Sequence, residues 1–114
     1  MEQKAKFKIM YMREAIDFLN QLPQKAKAKV VYNIGKSMYV LDKTLFKKLE
    51  NSDIWEFRTV YEGVSYRLFA FWDTDTETLV IATHGMSKKS RKTPAKEIEK
   101  AEMKRKEYFT NKTR

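Results

Sequence analysis

The residue pattern predicts an α+β domain of order βααβββα, an antiparallel sheet packed on an N-terminal helical hairpin and followed by a C-terminal helix. Three observations predict it. Apolar residues recur at helical spacing between residues 13 and 40. Between 54 and 83 the chain turns to runs rich in aromatic and β-branched residues. Thr93-Pro94 then carries a helix-start signal. A chain of 114 residues with no Pro/Gly/Ser-rich linker and no repeat fits one domain, taken as residues 1–110 with 111–114 expected to fray.

The elements follow in order. "KFKIMYM" (6–12) alternates charge and bulk and predicts a first strand. From Arg13 to Leu22, the residues Ala15, Ile16, Leu19 and Leu22 form a helical stripe, and Pro23 ends that helix and suits the start of a second. The second spans about 24–40 with Ala26, Val30, Ile34 and Met38 on one side. Gly35 inside it costs about 1 kcal/mol relative to alanine. "IWEFRTVY" (54–61), "VSYRLFAFW" (64–72) and "LVIAT" (79–83) predict an antiparallel meander with turns at Glu62-Gly63 and "DTDTET". Thr93 as N-cap and Pro94 as first helical residue open a last helix that turns Ile98, Ala101, Arg105, Tyr108 and Phe109 inward.

Strand side chains alternate sides, so the register decides which of them meet. A two-residue turn at Glu62-Gly63 sets Tyr61 opposite Val64 and Arg58 opposite Arg67. Trp55, Phe57, Tyr61, Tyr66, Leu68 and Trp72 then form the bed for the helical hairpin, while Ile54, Glu56, Arg58, Ser65, Arg67, Phe69 and Phe71 share the other face. Pairing Trp72 with Leu79 would bring His84 opposite Arg67, with Lys88 and Lys89 just beyond. Facing like charges repel, so two arginines there are either neutralised internally or offered to an anion. Glu56 is the internal candidate for Arg58; for Arg67 no carboxylate is expected nearby, which favours an anion. Removing Arg67 should then relieve repulsion. His84 alone reads more readily as a structural hydrogen-bonding residue than as a catalyst, and Lys88 to Lys92, as a bare charge run, as a solvated turn.

The formal net charge of +9 points to nucleic acid, an anionic membrane or an acidic protein as partner. Membrane is the weakest, because no apolar run approaches the roughly 20 residues of a span and "MEQKAKFK" is not a secretory signal. The absence of cysteine excludes disulfides and thiolate metal sites and fits a cytoplasmic protein. "DTDTE" lacks the glycine and distal glutamate of a calcium loop, and "IGKS" lacks the first glycine of a phosphate loop. No metal and no cofactor are expected. A cationic face suits RNA cleavage, in which the 2′-hydroxyl attacks the adjacent phosphate, a base and an acid move protons, and cations hold the developing charge. Arginine matches phosphate oxygens with its fixed fork.

The stretches "KKLENSDIWEFRTVYEGVSYRLFAFWD" and "VIATHGMSKKSRKTPAKEIEKAEMKRKEYF" resemble the HigB-like, phage-derived branch of the RelE/ParE toxin superfamily. The elements that carry the resemblance are Lys47-Lys48, Trp55-Glu56-Phe57-Arg58, Tyr66-Arg67, His84-Gly85, Lys88-Lys89, Lys92-Thr93-Pro94 and Glu97-Ile98 with Ala101. Phe57 and Met86 depart mildly, standing where that branch usually has leucine and phenylalanine. The resemblance implies a RelE-like toxin that cleaves mRNA on the ribosome and is neutralised by a cognate antitoxin, expected to carry a helix-turn-helix domain. By motif position it implies Arg67 as the phosphate-holding arginine and Lys88 as the basic residue after the last strand, with Arg58 and Lys47 or Lys48 as supporting cations. His84 ends the strand as a further catalytic candidate, Gly85 lets the chain turn, and Lys89, Arg91 and Lys92 reach the RNA backbone. Two other readings share the fold: a toxin that binds DNA gyrase, and a nucleic-acid-binding domain without catalysis.

Overall fold

The computed structural model describes residues 4–76, 78–88 and 92–112. Its elements are β1 (Lys8–Tyr11), α1 (Arg13–Gln21), α2 (Gln24–Ser37), β2 (Phe46–Lys48), β3 (Trp55–Tyr61), β4 (Val64–Trp72), β5 (Leu79–Lys88) and α3 (Ala95–Lys112). The five strands form one sheet in the order β1-β5-β4-β3-β2. The predicted class and the order of the elements hold, with one short strand, β2, added between the helical hairpin and the meander.

The turn between β3 and β4 explains the central register. Glu62 (φ 48°) and Gly63 (φ 77°) both lie in the left-handed region, the requirement of a two-residue hairpin whose twist matches that of its strands. Tyr61 therefore faces Val64, and Arg58 faces Arg67. One face of the sheet carries Phe57, Tyr66, Leu68, Ala70, Val80 and Ala82 against Ala15 and Leu19 of α1 and Ala26, Val30 and Ile34 of α2. The opposite face packs Ile54, Phe69, Phe71 and Ile81 against Ala101, Ile98, Tyr108 and Phe109, which seats α3.

The structure departs from the sequence expectations in four respects. β1 pairs with β5 in parallel, Lys8 opposite Leu79 and Tyr11 opposite Ala82, so the sheet is mixed at that edge. β4 and β5 pair through Trp72 and Val80, not Leu79, and a bulge between Phe69 and Ala70 leaves Thr83 as the extra residue. That bulge sets His84 opposite Phe69 and Met86 opposite Arg67, so His84 is not in the arginine row. Third, β5 continues to Lys88, which places Gly85 inside the strand, opposite Leu68. Gly85 serves close approach: a Cβ built there would run into the Phe18 ring of α1. Fourth, α2 ends at Ser37, short of the expected residue 40.

The end of α3 is tied down by a buried carboxylate. Asp73, after β4, accepts hydrogen bonds from Tyr108 Oη and Lys112 Nζ, both at 2.6 Å, and from the backbone N–H of Asp75 at 2.9 Å. Burial alone would raise its pKa. The hydrogen bonds from Lys112 and Tyr108 more than offset that and hold it down at about 2.

Candidate functional site

Glu56 on β3 is fully buried and stands at the centre of a cationic cluster on the α3 side of the sheet. Its alternation with Arg58 puts both on one face, and the β3–β4 register brings Arg67 diagonally within reach. Glu56 Oε1 lies 3.4 Å from Arg58 Nε, and Oε2 lies 3.5 Å from Arg67 Nη1. Thr93, just before α3, closes the cluster: its hydroxyl donates to Glu56 Oε2 at 2.7 Å and accepts from Arg67 Nη1. Arg67 Nε also donates to Ser65 Oγ at 3.2 Å. A carboxylate thus lies beside Arg67 after all, and the one Glu56 side chain serves both facing arginines. The expectation that removing Arg67 relieves repulsion fails for this reason, because it would strip a buried carboxylate of a partner.

The two arginines differ in access. The Arg67 side chain is 2% exposed and that of Arg58 is 28% exposed, so an incoming anion meets Arg58 first. Lys47 on β2 stands opposite Glu56 and so shares this face, whereas Lys48 pairs with Trp55 and belongs to the other. Lys88 is exposed at the end of β5, opposite Ser65 and on the same face as Arg67. Lys92 is exposed beside Thr93. Lys89 and Arg91 lie outside the described residues.

The chain matches the family described as "Phage derived protein Gp49-like (DUF891)" over residues 17–106. It belongs to that Gp49-like family. The membership agrees with the resemblance to the phage-derived branch of RelE-type toxins. The fold is similar to that of a chain in the crystal structure of the toxin–antitoxin complex RelBE2 from Mycobacterium tuberculosis. That similarity has a TM-score of 0.56 at 20% identity and covers 78% of this chain and all of the other. No curated protein matches the chain.

His84 occupies a separate place in this Gp49-like protein, buried beneath α3. Its Nδ1 is 2.9 Å from Thr83 Oγ1, its ring lies 4.9 Å from that of Phe69, and its Nε2 is 3.5 Å from Glu97 Oε1 without a hydrogen bond. Burial pushes its pKa below the ordinary value, and Lys100 adds to this while Glu97 opposes it. Nearby, Lys100 and Lys104 of α3 pair with Glu14 of α1 at 2.7 and 2.9 Å. This cluster fastens the two helices across the edge of β5.

Three features escaped the sequence reading. Glu56 as the partner of Arg67 was legible in principle, since the same alternation that aligned the arginines put it on their diagonal. Thr93 carried a signal that pointed elsewhere, to a helix cap. The third is a concave surface of about 760 Å³ between α2 and the edge of β3, where Lys29, Lys36 and Lys43 join Lys47 and Arg58. No local motif marks it, because its lysines come from separate elements. Among the described residues, no group of three or more His, Cys, Asp or Glu side chains converges as a metal site, and no helix is long and apolar enough to cross a membrane.

Proposed function

We propose that this Gp49-like protein is the toxin of a toxin–antitoxin pair and acts as an endoribonuclease on mRNA held by the ribosome. The observation that carries the reading is the cationic face on which Lys47, Arg58 and Arg67 neighbour the buried carboxylate of Glu56, with Lys88 further along the same face. In the proposed step, the 2′-oxygen of one nucleotide attacks the adjacent phosphorus and loses its proton to a base. The P–O5′ bond breaks and the leaving 5′-oxygen takes up a proton, giving a 2′,3′-cyclic phosphate and a 5′-hydroxyl. Arg58 and Lys47 receive the phosphate. Arg67, oriented by Glu56, Thr93 and Ser65, fixes the field in which negative charge develops. Lys88, exposed on the same face, is the candidate for proton transfer, and Lys48, Lys89, Arg91 and Lys92 are proposed backbone contacts. His84 is assigned to holding α3 in place, since it faces Phe69 and Glu97 rather than the arginines. The ribosome supplies substrate positioning in the cytoplasm, and an antitoxin, with a helix-turn-helix domain of its own, covers the basic face.

Toeprinting on a translated message tests this. Cleavage should persist with excess chelator while spermidine keeps ribosomes intact, and should leave 5′-hydroxyl ends. Loss of cleavage with the chelator, or 5′-phosphate ends, would remove the scheme. Lys88→Ala should keep ribosome affinity and lose rate with an altered pH profile if Lys88 moves a proton; rate and affinity should fall together if it only touches phosphate.

The burial of Arg67 under Thr93 favours a second reading, a domain that binds nucleic acid without cutting it. Binding of translating ribosomes with no new toeprint, weakened in Arg58→Ala, would select that reading.

A further inference from the structure

A groove of about 860 Å³ runs along the outer edge of β2, and both tryptophans of the chain line it. Its floor is aromatic. The ring of Trp55 lies 4.8 Å from that of Phe46 and 5.8 Å from that of Trp72. Trp55 and Trp72 are only half-buried in spite of this packing. Its rim is basic, with Lys43, Lys47, Lys48 and Lys92 among its lining residues and two carboxylates, Asp42 and Glu50. Thr93 also lines it, and the same Thr93 holds Glu56 and Arg67, so the groove borders the cationic cluster. On its other flank it shares Lys43 and Lys47 with the concave basic surface beside α2.

We infer that this groove holds an unstacked nucleobase of a single-stranded RNA whose backbone follows the lysines of β2 to the Glu56–Arg58–Arg67 cluster. The inference rests on the nuclease reading for the identity of the strand and adds to it the place where a base is held. An aromatic floor accepts the face of any base, and lysines on the rim accept the phosphates on either side of it. β2 is three residues, about 10 Å in length, a span of no more than about three nucleotides. A base at Trp55 is therefore close in sequence to a phosphate at Arg58. An apolar peptide would fill the floor but leave the lysine rim without opposite charge, which is why RNA is the occupant chosen.

Because the only tryptophans line the groove, intrinsic fluorescence reports its occupancy without a label. The probe is a single-stranded hexaribonucleotide with every 2′-hydroxyl methylated, which removes the nucleophile and leaves bases and phosphates in place. It should quench the emission saturably. The same backbone carrying abasic sugars should bind about tenfold more weakly, the scale of one base–aromatic contact, with no quench and the same salt dependence. Trp55→Leu, checked for its fold by circular dichroism, should lose the same factor. Equal affinity of the abasic and base-bearing strands overturns the inference, as does a quench by an acidic helical peptide that the oligonucleotide fails to reproduce. Cleavage of ribosome-bound mRNA without any such quench leaves the nuclease reading standing and removes the groove; quenching without cleavage does the reverse.

Discussion

Glu56 and Asp73 are both nearly fully buried carboxylates, and each binds two distant parts of the chain. Around Glu56, the loss of either arginine has unequal effects. Arg67→Ala takes the more buried partner and leaves Ser65, Thr93 and Glu56 each short of a contact, so it should cost about 2–4 kcal/mol in urea unfolding. Arg58→Ala, at the more exposed position, should cost less, about 1–2 kcal/mol, since it still takes the ion-pair partner of Glu56 Oε1. Its cleavage rate should fall about 100-fold, the loss expected when one preorganised phosphate contact goes. Activity of the Arg67 variant must therefore be measured per folded molecule. Asp73 carries a pH signature. Its carboxyl titrates near 3.8 in an unfolded chain and at about 2 in the fold, so the unfolded chain binds the proton more tightly. The stabilisation, about 2 kcal/mol, is present above about pH 4 and lost as the pH falls through 2. Asp73→Asn should be less stable than the parent at neutral pH, and urea midpoints should show the gap closing between pH 4 and 2. Of these residues the arginines were legible from alternation alone. Thr93 was not, because its hydroxyl serves a contact 37 residues away that no local pattern encodes.

At the level of elements, two glycines make opposite demands. Gly35 lies inside α2, and a Cβ there would meet nothing within 4 Å. Gly35→Ala should raise stability by about 0.5–1 kcal/mol, by restricting the unfolded chain and favouring the helix. Gly85→Ala places a methyl group into the Phe18 ring and should cost about 1–3 kcal/mol; thermal melts of both variants check the two signs. Phe18→Ala combined with Gly85→Ala should recover part of that loss, a coupling that two independent sites would not give. The helices and the β3–β4 hairpin could be read from the sequence because period and turn chemistry are local. β2 could not, since three residues ending in two lysines show no alternation, and the partner of β1 could not, since pairing is a property of the fold. The pairing of Trp72 with Val80 already moves His84 out of the arginine row, and the bulge at Thr83, with neither glycine nor proline to mark it, moves it one place further, opposite Phe69.

For the whole molecule, the net charge of +9 governs encounter more than fold. Association with a cognate antitoxin of opposite charge should be fast and should slow by about tenfold or more as salt is raised severalfold, with a smaller change in the dissociation rate. Stopped-flow measurement at several ionic strengths checks this, and a salt-independent association rate would assign the contact to apolar surface instead. The parallel pairing of the first strand with the last also has a temporal side. Lys8–Tyr11 leaves the ribosome early but finds its neighbour only once Leu79–Ala82 has been made. At ordinary synthesis rates that is a wait of roughly 4–14 seconds. A nascent chain within that interval has an unpaired first strand and no α3 to bring Thr93 over Arg67. The face that carries Arg67 is therefore completed only when translation is nearly finished, a delay written into the topology rather than into any single residue.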